Sequence, residues 1–488
     1  MSYNNVPVAY GEHKASLGQY FTPLNVARYM VSLMGEAESA HYHLLDAGAG
    51  EGALSCAFIE RFRKELPVGA TLKVTAFEYD QALIPILKAN IYAASGFDQE
   101  IVQGDFIEIA ASQLSICASS EASYSHVILN PPYKKIRSDS HHRALLRTMG
   151  IETTNLYAGF IGVALLLTKT NGQIVALIPR SFCTGPYFKR FREFLLGRAA
   201  IRHIHLFESR NSIFRDDDVL QENIIIKLEC GGIQSEVVIT SSIDDSLTDV
   251  KKFRLPFSRV VRPDDLDLFI HIPGPSEEEN WPSEFSNSLA GLGVQVSTGP
   301  VVDFRATKFL TAESSQDTVP LIYPAHLKDS RVVWPLNGLK KSQYLMNCVD
   351  TRRQLFPLGN YCVIRRFSAK EQERRIVSAV ACEVQFNQFN YLGFENHLNV
   401  IHSNRQGLEL NFALGLTAFL NSKYADMDIR TFNGHTQVNA ADIKKLRFPN
   451  KVFLMALGDR VLQLAVDPEK SLDILIDNLL NEKREFHA

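Results

Sequence analysis

Four short stretches set reactive or ligand-binding side chains at the ends of apolar runs. In "LLDAGAGEGAL" (Leu44 to Leu54), Gly48, Gly50 and Gly52 let the chain turn tightly and let a ligand approach the backbone, with Asp46 just before them. Gly48-x-Gly50-x-x-Ala53 also fits the permissive dinucleotide fingerprint, so a nicotinamide cofactor stays open, as does a plain turn without a ligand. "FEYD" sets Glu78 beside that loop, where a carboxylate would accept from ribose hydroxyls of either a dinucleotide or a sulfonium nucleoside. "GDF" offers Asp105 as an acceptor for an adenine amine and Phe106 as a cover for the ring, although a single Phe is more often core.

The fourth stretch, "NPPY" (Asn130 to Tyr133), follows the apolar run "SHVIL". An exocyclic amine on a nucleobase is a poor nucleophile because its lone pair is delocalised into the ring. Acceptors drawing on its N–H groups would let the nitrogen pyramidalise and attack an electrophilic methyl group. The Asn130 side-chain oxygen and the Pro131 carbonyl can supply two such acceptors. Pro131 and Pro132 stiffen the backbone and add no N–H donor. Tyr133 can stack on the base, worth roughly 1–3 kcal/mol on single-strand platforms. Taken alone, the tetrad could be a strand-ending turn. After three other strand ends that suit an adenosyl cofactor, methyl transfer is the stronger reading.

These stretches need elements to hold them. Apolar, β-rich runs ("HLLDAG", "TLKVTAFEYD", "EIVQGD", "YSHVILN", "GQIVALIP", "IRHIHLF", "ENIIIKLE") alternate with helical-period segments, which predicts an α/β domain with a parallel sheet covered on both faces. This catalytic domain is expected over 1–270, a linker over 271–285 ("PDDLDLFIHIPGPSEEENWPSEF" lacks period), and a mixed α+β domain over 286–488 with a C-terminal helix. The 488 residues suit two or three domains, and 45% hydrophobic with 22% charged residues is a globular balance. A net charge of -3 means that any nucleic-acid surface must be local. No signal peptide or membrane span is visible. The seven cysteines lie far apart with no Cys-x-x-Cys, which fits free thiols in a reducing cytoplasm and no structural zinc. His141 and His142 show no metal partner and are expected in a loop near the site, so no metal is expected.

Motif by motif the chain resembles the gamma-class, TaqI-type amino-methyltransferases of DNA. "GQYFTP" (Gly18 to Pro23) is similar to the family's N-terminal segment, which implies that Tyr20, Thr22 and Pro23 pack on S-adenosylmethionine. "DAGAGEG", "FEYD", "GDF", "NPPY" and "NLYAGF" follow in the family's order. "SIFRDDDVLQENIIIKL" is similar to the segment whose Phe, here Phe214, faces a flipped base opposite the tyrosine. The second half ("VSTGPVVDFR", "LIYPAHL", "VIRRFSAKEQERRIVSAV", "GFENHLNVIH", "FLNSKYADMDIRTFNGHTQVNAADIKKL") resembles methyltransferases of PstI/BsuBI-like restriction–modification systems. The resemblance implies a Rossmann-like S-adenosylmethionine-dependent sheet and a DNA target-recognition domain. It also implies a bacterial monomer or dimer acting on double-stranded DNA, alongside a separate restriction endonuclease.

Local features agree with DNA. Between Arg352 and Arg375 seven Lys/Arg (352, 353, 365, 366, 370, 374, 375) stand against Glu371 and Glu373, as phosphate contacts would require. The candidates are Arg305, Arg365, Arg366 and Lys370 for phosphate. Asn433, His435, Gln437 and Asn439 in "FNGHTQVN" have side chains able to pair with base edges. A solvated basic face and a polar turn are the ordinary alternatives. Three rival functions remain: a cytosine-N4 methyltransferase with the same chemistry; a protein-glutamine methyltransferase, against which the long second half counts; and a restriction enzyme with a fused nuclease or a non-catalytic DNA-binding subunit, for which neither a PD-(D/E)xK pattern nor a GxxxxGK loop is visible.

Overall fold

The computed structural model describes residues 21–37, 40–93, 96–116, 123–208, 222–274, 281–368, 372–433, 436–464 and 472–485. The candidates Tyr20, Phe214, Lys370 and His435 lie outside them. Two compact units emerge, Met1–Pro275 and Ser276–Ala488.

The first unit is built on a nine-stranded sheet. Its strands are β1 (His41–Ala47), β2 (Thr71–Glu78), β3 (Asp98–Gln103), β4 (Tyr124–Leu129), β5 (Thr168–Pro179), β6 (Ala199–Phe207), β7 (Asn223–Cys230), β8 (Glu236–Ser242) and β9 (Lys251–Pro256), in spatial order β3-β2-β1-β4-β5-β7-β6-β8-β9. All six residues of β4 are buried, as a central strand covered on both faces requires. Side chains alternate along β1, so Leu44 and Leu45 belong to two different cores. On the Leu44 face pack α1 (Leu24–Ser32), α2 (Ala53–Glu65) and α3 (Ile84–Ala93). On the Leu45 face pack α4 (Phe106–Ile116), α6 (Leu156–Leu167) and α7 (Lys189–Leu196), with α5 (His141–Thr148) adding Leu146. The helix α1 follows from Val26, Ala27, Met30 and Val31, spaced to fall on one buried stripe.

Two features depart from the sequence expectation. The sheet is mixed, because β7 runs antiparallel to both β5 and β6. The chain leaves β6 at Phe207 and re-enters beside it at Asn223, running in the opposite direction. The last two strands on this side of the sheet, β8 and β9, were not anticipated, since "EVVITSS" and "KKFRLP" are short and carry exposed polar positions.

The expected linker is narrower than 271–285. His271 and Ile272 are buried in the first unit, where the His271 amide donates to the Val260 carbonyl at 2.7 Å. Phe285 is buried in the second, edge-on to Phe419, Tyr424 and Phe453. The second unit holds a six-stranded and a five-stranded sheet, with helices Leu410–Leu420 and Lys451–Leu464 in close contact. A second C-terminal helix, Leu472–Glu485, adds to the one expected. Among the described residues no helix is long and apolar enough to cross a membrane.

Candidate active site

The chain steps outward from β1 through β2 to β3, then returns to β4 on the other side of β1. Where strand order reverses, the loops after β1 and β4 diverge and leave a crevice at the carboxyl ends, the place where open α/β sheets bind ligands. All four chemistry-bearing stretches end there.

The glycine loop takes a conformation that side chains resist: φ is +58° at Gly50 and +89° at Gly52, which opens α2. The amides of Gly48 and Ala49 both donate to the Phe77 carbonyl, at 3.0 and 2.8 Å, tying the loop to β2. Asp46 is fully buried. Its Oδ2 accepts from the Ser55 amide (3.1 Å) and hydroxyl (2.7 Å), while its buried Oδ1 meets no partner among the described residues. Burial pushes this carboxyl up to about 7, against the two Ser55 bonds. Glu78 accepts the Gly50 amide on Oε2 and the Asp80 amide on Oε1, both at 2.7 Å. Burial raises its pKa too.

Gly48, Gly50, Phe77 and Glu78 line a cavity of about 380 Å³ together with Phe21, Asp105, Phe106, Asn130, Pro132 and Phe160, and Asp46 lies behind the loop. Phe106 stands 5.2 Å from Phe77, edge-on, and 5.1 Å from Phe160, so it serves core and cavity at once. Phe21 closes on the loop, 3.3 Å from where a Cβ on Gly50 would lie. Pro23 caps α1, and Thr22 reaches the tetrad: the Asn130 amide nitrogen donates to Thr22 Oγ1 at 3.0 Å.

That bond orients the Asn130 amide and turns its oxygen to the Tyr133 hydroxyl, which donates at 3.0 Å. The same hydroxyl lies 3.2 Å from the Leu177 carbonyl, and its single proton can serve only one of the two at a time. Asn130 and Pro132 line the cavity. Pro131 is buried at the end of β4. Tyr133 departs from the expected stacking platform: its ring is half-buried between both cores and edge-on to Tyr157 at 6.3 Å, and its hydroxyl holds Asn130.

Asp105 also differs from a free acceptor. Its Oδ1 accepts the Ile107 (2.9 Å) and Glu108 (3.1 Å) amides, capping α4, and its Oδ2 lies 2.7 Å from His142 Nε2. His141 and His142 are therefore not in a loop. Ser140 caps α5 by accepting the Arg143 amide, and both histidines open that helix. The pairing was invisible in sequence because its members stand 37 residues apart. Asp105, Glu108 and His142 each bring a metal-capable atom within 4.8 Å of the others, a grouping the expectation of no metal did not foresee. The 2.7 Å contact itself has the length of a charge-assisted hydrogen bond.

Residues 34–214 match the family model for Eco57I restriction-modification methylase. Type II methyltransferase M.BsuBI of Bacillus subtilis is 42% identical over 96% of this chain and 94% of its own. The chain belongs to the type II methyltransferase family. A second member, M.PstI of Providencia stuartii, is 38% identical over 92% of this chain and 90% of its own. In fold, this type II methyltransferase resembles the type IIL restriction-modification enzyme MmeI, solved in complex with DNA, at a TM-score of 0.54 and 12% identity over 97% of this chain and 71% of that one. It also resembles a nuclease-deletion mutant of the type ISP enzyme LlaGI, solved with a DNA substrate mimic, at a TM-score of 0.51 and 11% identity over 91% and 47% of the two chains.

The second unit of this type II methyltransferase redistributes the residues expected to touch DNA. Arg305 is exposed beside the Phe304 ring. Arg365 donates to the Pro324 carbonyl at 3.2 Å. Arg366 donates to the Asn396 carbonyl (2.8 Å) and to Asn439 Oδ1 (2.9 Å), so both are half-committed to the fold. Asn433 is buried: it accepts from Arg375 at 2.8 Å and donates to Asp442 and to the Gln437 carbonyl, each at 3.0 Å. With its amide spent in this network, Asn433 does not offer an edge to a base, which corrects the sequence expectation. Gln437 is half-buried, its backbone bridged to Phe367. The basic run is likewise dispersed, with Arg375 fully buried and Arg374 paired to Asp473 at 2.7 Å.

Proposed function

We propose that this type II methyltransferase modifies double-stranded DNA, transferring a methyl group from S-adenosylmethionine to the exocyclic N6 amine of an adenine extruded from the duplex. The observation that carries the reading is the Asn130 amide, oriented by Thr22 and Tyr133 at the edge of a cavity whose far wall is the glycine loop, Glu78 and Asp105. The residues fit the cofactor. The orphaned, buried Asp46 Oδ1 favours a cationic ligand nearby, Glu78 suits ribose hydroxyls, and Phe106 and Phe160 suit a purine face.

When bound, S-adenosylmethionine supplies an electrophilic methyl group on a sulfonium sulfur. The protein's own work is to make the amine nucleophilic. When the Tyr133 hydroxyl donates to the Leu177 carbonyl instead, the Asn130 oxygen is released to accept an N–H of the target amine. The Pro131 carbonyl is the second acceptor in this reading, and neither proline brings a competing N–H. A target base inside the stack must be extruded first, at a cost of a few kcal/mol. Lys135 and Arg137, exposed where the tetrad's loop lines the cavity, would hold the flanking phosphates. The second unit would supply target recognition, with Arg305, Gln437 and the exposed Arg352 and Arg353 as candidates. A separate endonuclease would complete the restriction–modification pair.

Asn130→Ala tests this directly. With labelled cofactor and plasmid DNA, the variant should lose roughly 10²–10³ in kcat, the scale for removing one preorganised transition-state group. Cofactor affinity should change far less. Full activity in the variant, or no methyl transfer to DNA by the wild type, would overturn the proposal.

A further inference from the structure

We infer that His142 is a positioning residue for the cofactor: it holds the Asp105 carboxylate so that Oδ2 presents one remaining lone pair to the amine-bearing edge of the bound purine. The inference rests on the S-adenosylmethionine reading above and adds to it a residue from outside the four strand-end motifs.

Asp105 has little freedom of its own. Its Oδ1 is committed to the Ile107 and Glu108 amides of the first turn of α4, and turning the carboxylate would break both bonds. Only Oδ2 is left for a ligand. An ionised carboxylate oxygen has two acceptor directions, and the His142 Nε2–H fills one of them at 2.7 Å. The other is available on a residue that lines the cavity beside Phe106 and Phe160. Without the imidazole, both acceptor directions of Oδ2 would be open to water, and the ligand would have to displace it. With it, the acceptor is fixed before the ligand arrives, which is how preorganisation raises affinity.

The imidazole is itself well anchored. It sits at the start of α5, whose Ser140 cap follows the loop carrying the tetrad. That loop is pinned to the segment before α6 by the Ile136 amide to the Thr154 carbonyl and the Leu156 amide to the Lys134 carbonyl, both 2.8 Å. The charged groups facing His142 are Asp105 and Glu108 from α4 and Lys134 from the tetrad's loop, with His141 next to it 3.7 Å from Glu108. The bond to Asp105 raises the pKa of His142, and burial and Lys134 only partly oppose this. Burial acts to raise the Asp105 carboxyl, yet the His142 bond and the two amides together hold it below its ordinary value. The pair therefore favours an ionised acceptor with a donor fixed against it.

The test is calorimetric binding of two probes, S-adenosylmethionine and its analogue with hydrogen in place of the purine 6-amino group, to wild type, His142→Leu and His142→Gln. The wild type should prefer the amine-bearing probe by roughly ten-fold, the scale of a hydrogen bond to a charged acceptor. His142→Leu should lose about that ten-fold for S-adenosylmethionine while binding the analogue within two-fold of wild type. His142→Gln, which keeps an N–H donor, should recover most of the loss. Equal weakening of both probes in His142→Leu would show a merely structural role and overturn the inference, as would no weakening of either. If wild type binds neither probe, the cofactor reading itself falls. If wild type binds both and the variants match it, only the role of His142 falls.

Discussion

Asp46→Asn should stabilise the first unit at alkaline pH while impairing cofactor binding. Asp46 is fully buried, and its carboxyl is raised from 3.8 to about 7 by burial, against the Ser55 bonds. A folded-state pKa above the unfolded one gives a stability contribution that is fully present below about 3.8 and is lost as pH rises to about 7. At 1.36 kcal/mol per pKa unit, a displacement of about three units makes the ionised residue cost the fold about 4 kcal/mol at pH 8. An asparagine keeps the Ser55 bonds through its amide oxygen but leaves a buried NH₂ where Oδ1 had no partner, a penalty of about 1–2 kcal/mol. The net gain at pH 8 is therefore about 2–3 kcal/mol, some 5 °C or more in melting temperature for a unit of this size. At pH 5 the native carboxyl is mostly protonated, so the gain should shrink by about 2–3 kcal/mol and nearly vanish. Thermal unfolding of wild type and variant from pH 5 to 8 reads this out. An equal shift at both ends, or destabilisation at pH 8, would show that the Asp46 carboxyl is not held up by burial. Calorimetry should show weaker S-adenosylmethionine binding to the variant, because the anion that suits a cationic ligand is gone.

Three further outcomes follow from named contacts. Thr22→Val removes the acceptor that orients the Asn130 amide at 3.0 Å; single-turnover methylation should slow roughly ten-fold, with DNA affinity little changed. Gly458→Ala would set a Cβ 1.8 Å from the Asn411 carbonyl oxygen, where the helices Leu410–Leu420 and Lys451–Leu464 meet. The second unit should lose about 2 kcal/mol or more, read as a lower unfolding midpoint. Lys135→Ala with Arg137→Ala should flatten the salt dependence of DNA binding by about 0.9 in log–log slope for each phosphate contact removed, measured by fluorescence anisotropy.

The strand ends were legible because each is local: glycines at positive φ after β1, Glu78 closing β2, Asp105 after β3, and prolines after β4 mark where apolar runs stop. The direction of β7 was not legible, since an apolar run such as "NIIIKLE" is the same in either sense, and its pairing with β5 and β6 is settled only in the folded sheet. Asn433 shows a deeper limit. A polar side chain able to pair with a base is equally able to close a buried network, and its partners Arg375 and Asp442 are recognised only once the chain has folded. Tyr133 was found by its motif, but its orientation depends on Leu177, 44 residues away. The Asp105–His142 contact likewise joins two helix starts that no periodicity relates.

The central claim is that the Asn130 tetrad serves an extruded adenine. The most direct measurement is to methylate plasmid DNA with the purified protein and labelled S-adenosylmethionine, digest it to nucleosides, and identify the modified base by mass spectrometry. N6-methyladenine in one sequence context is the expected product. N4-methylcytosine, or label found only on protein, would contradict the claim.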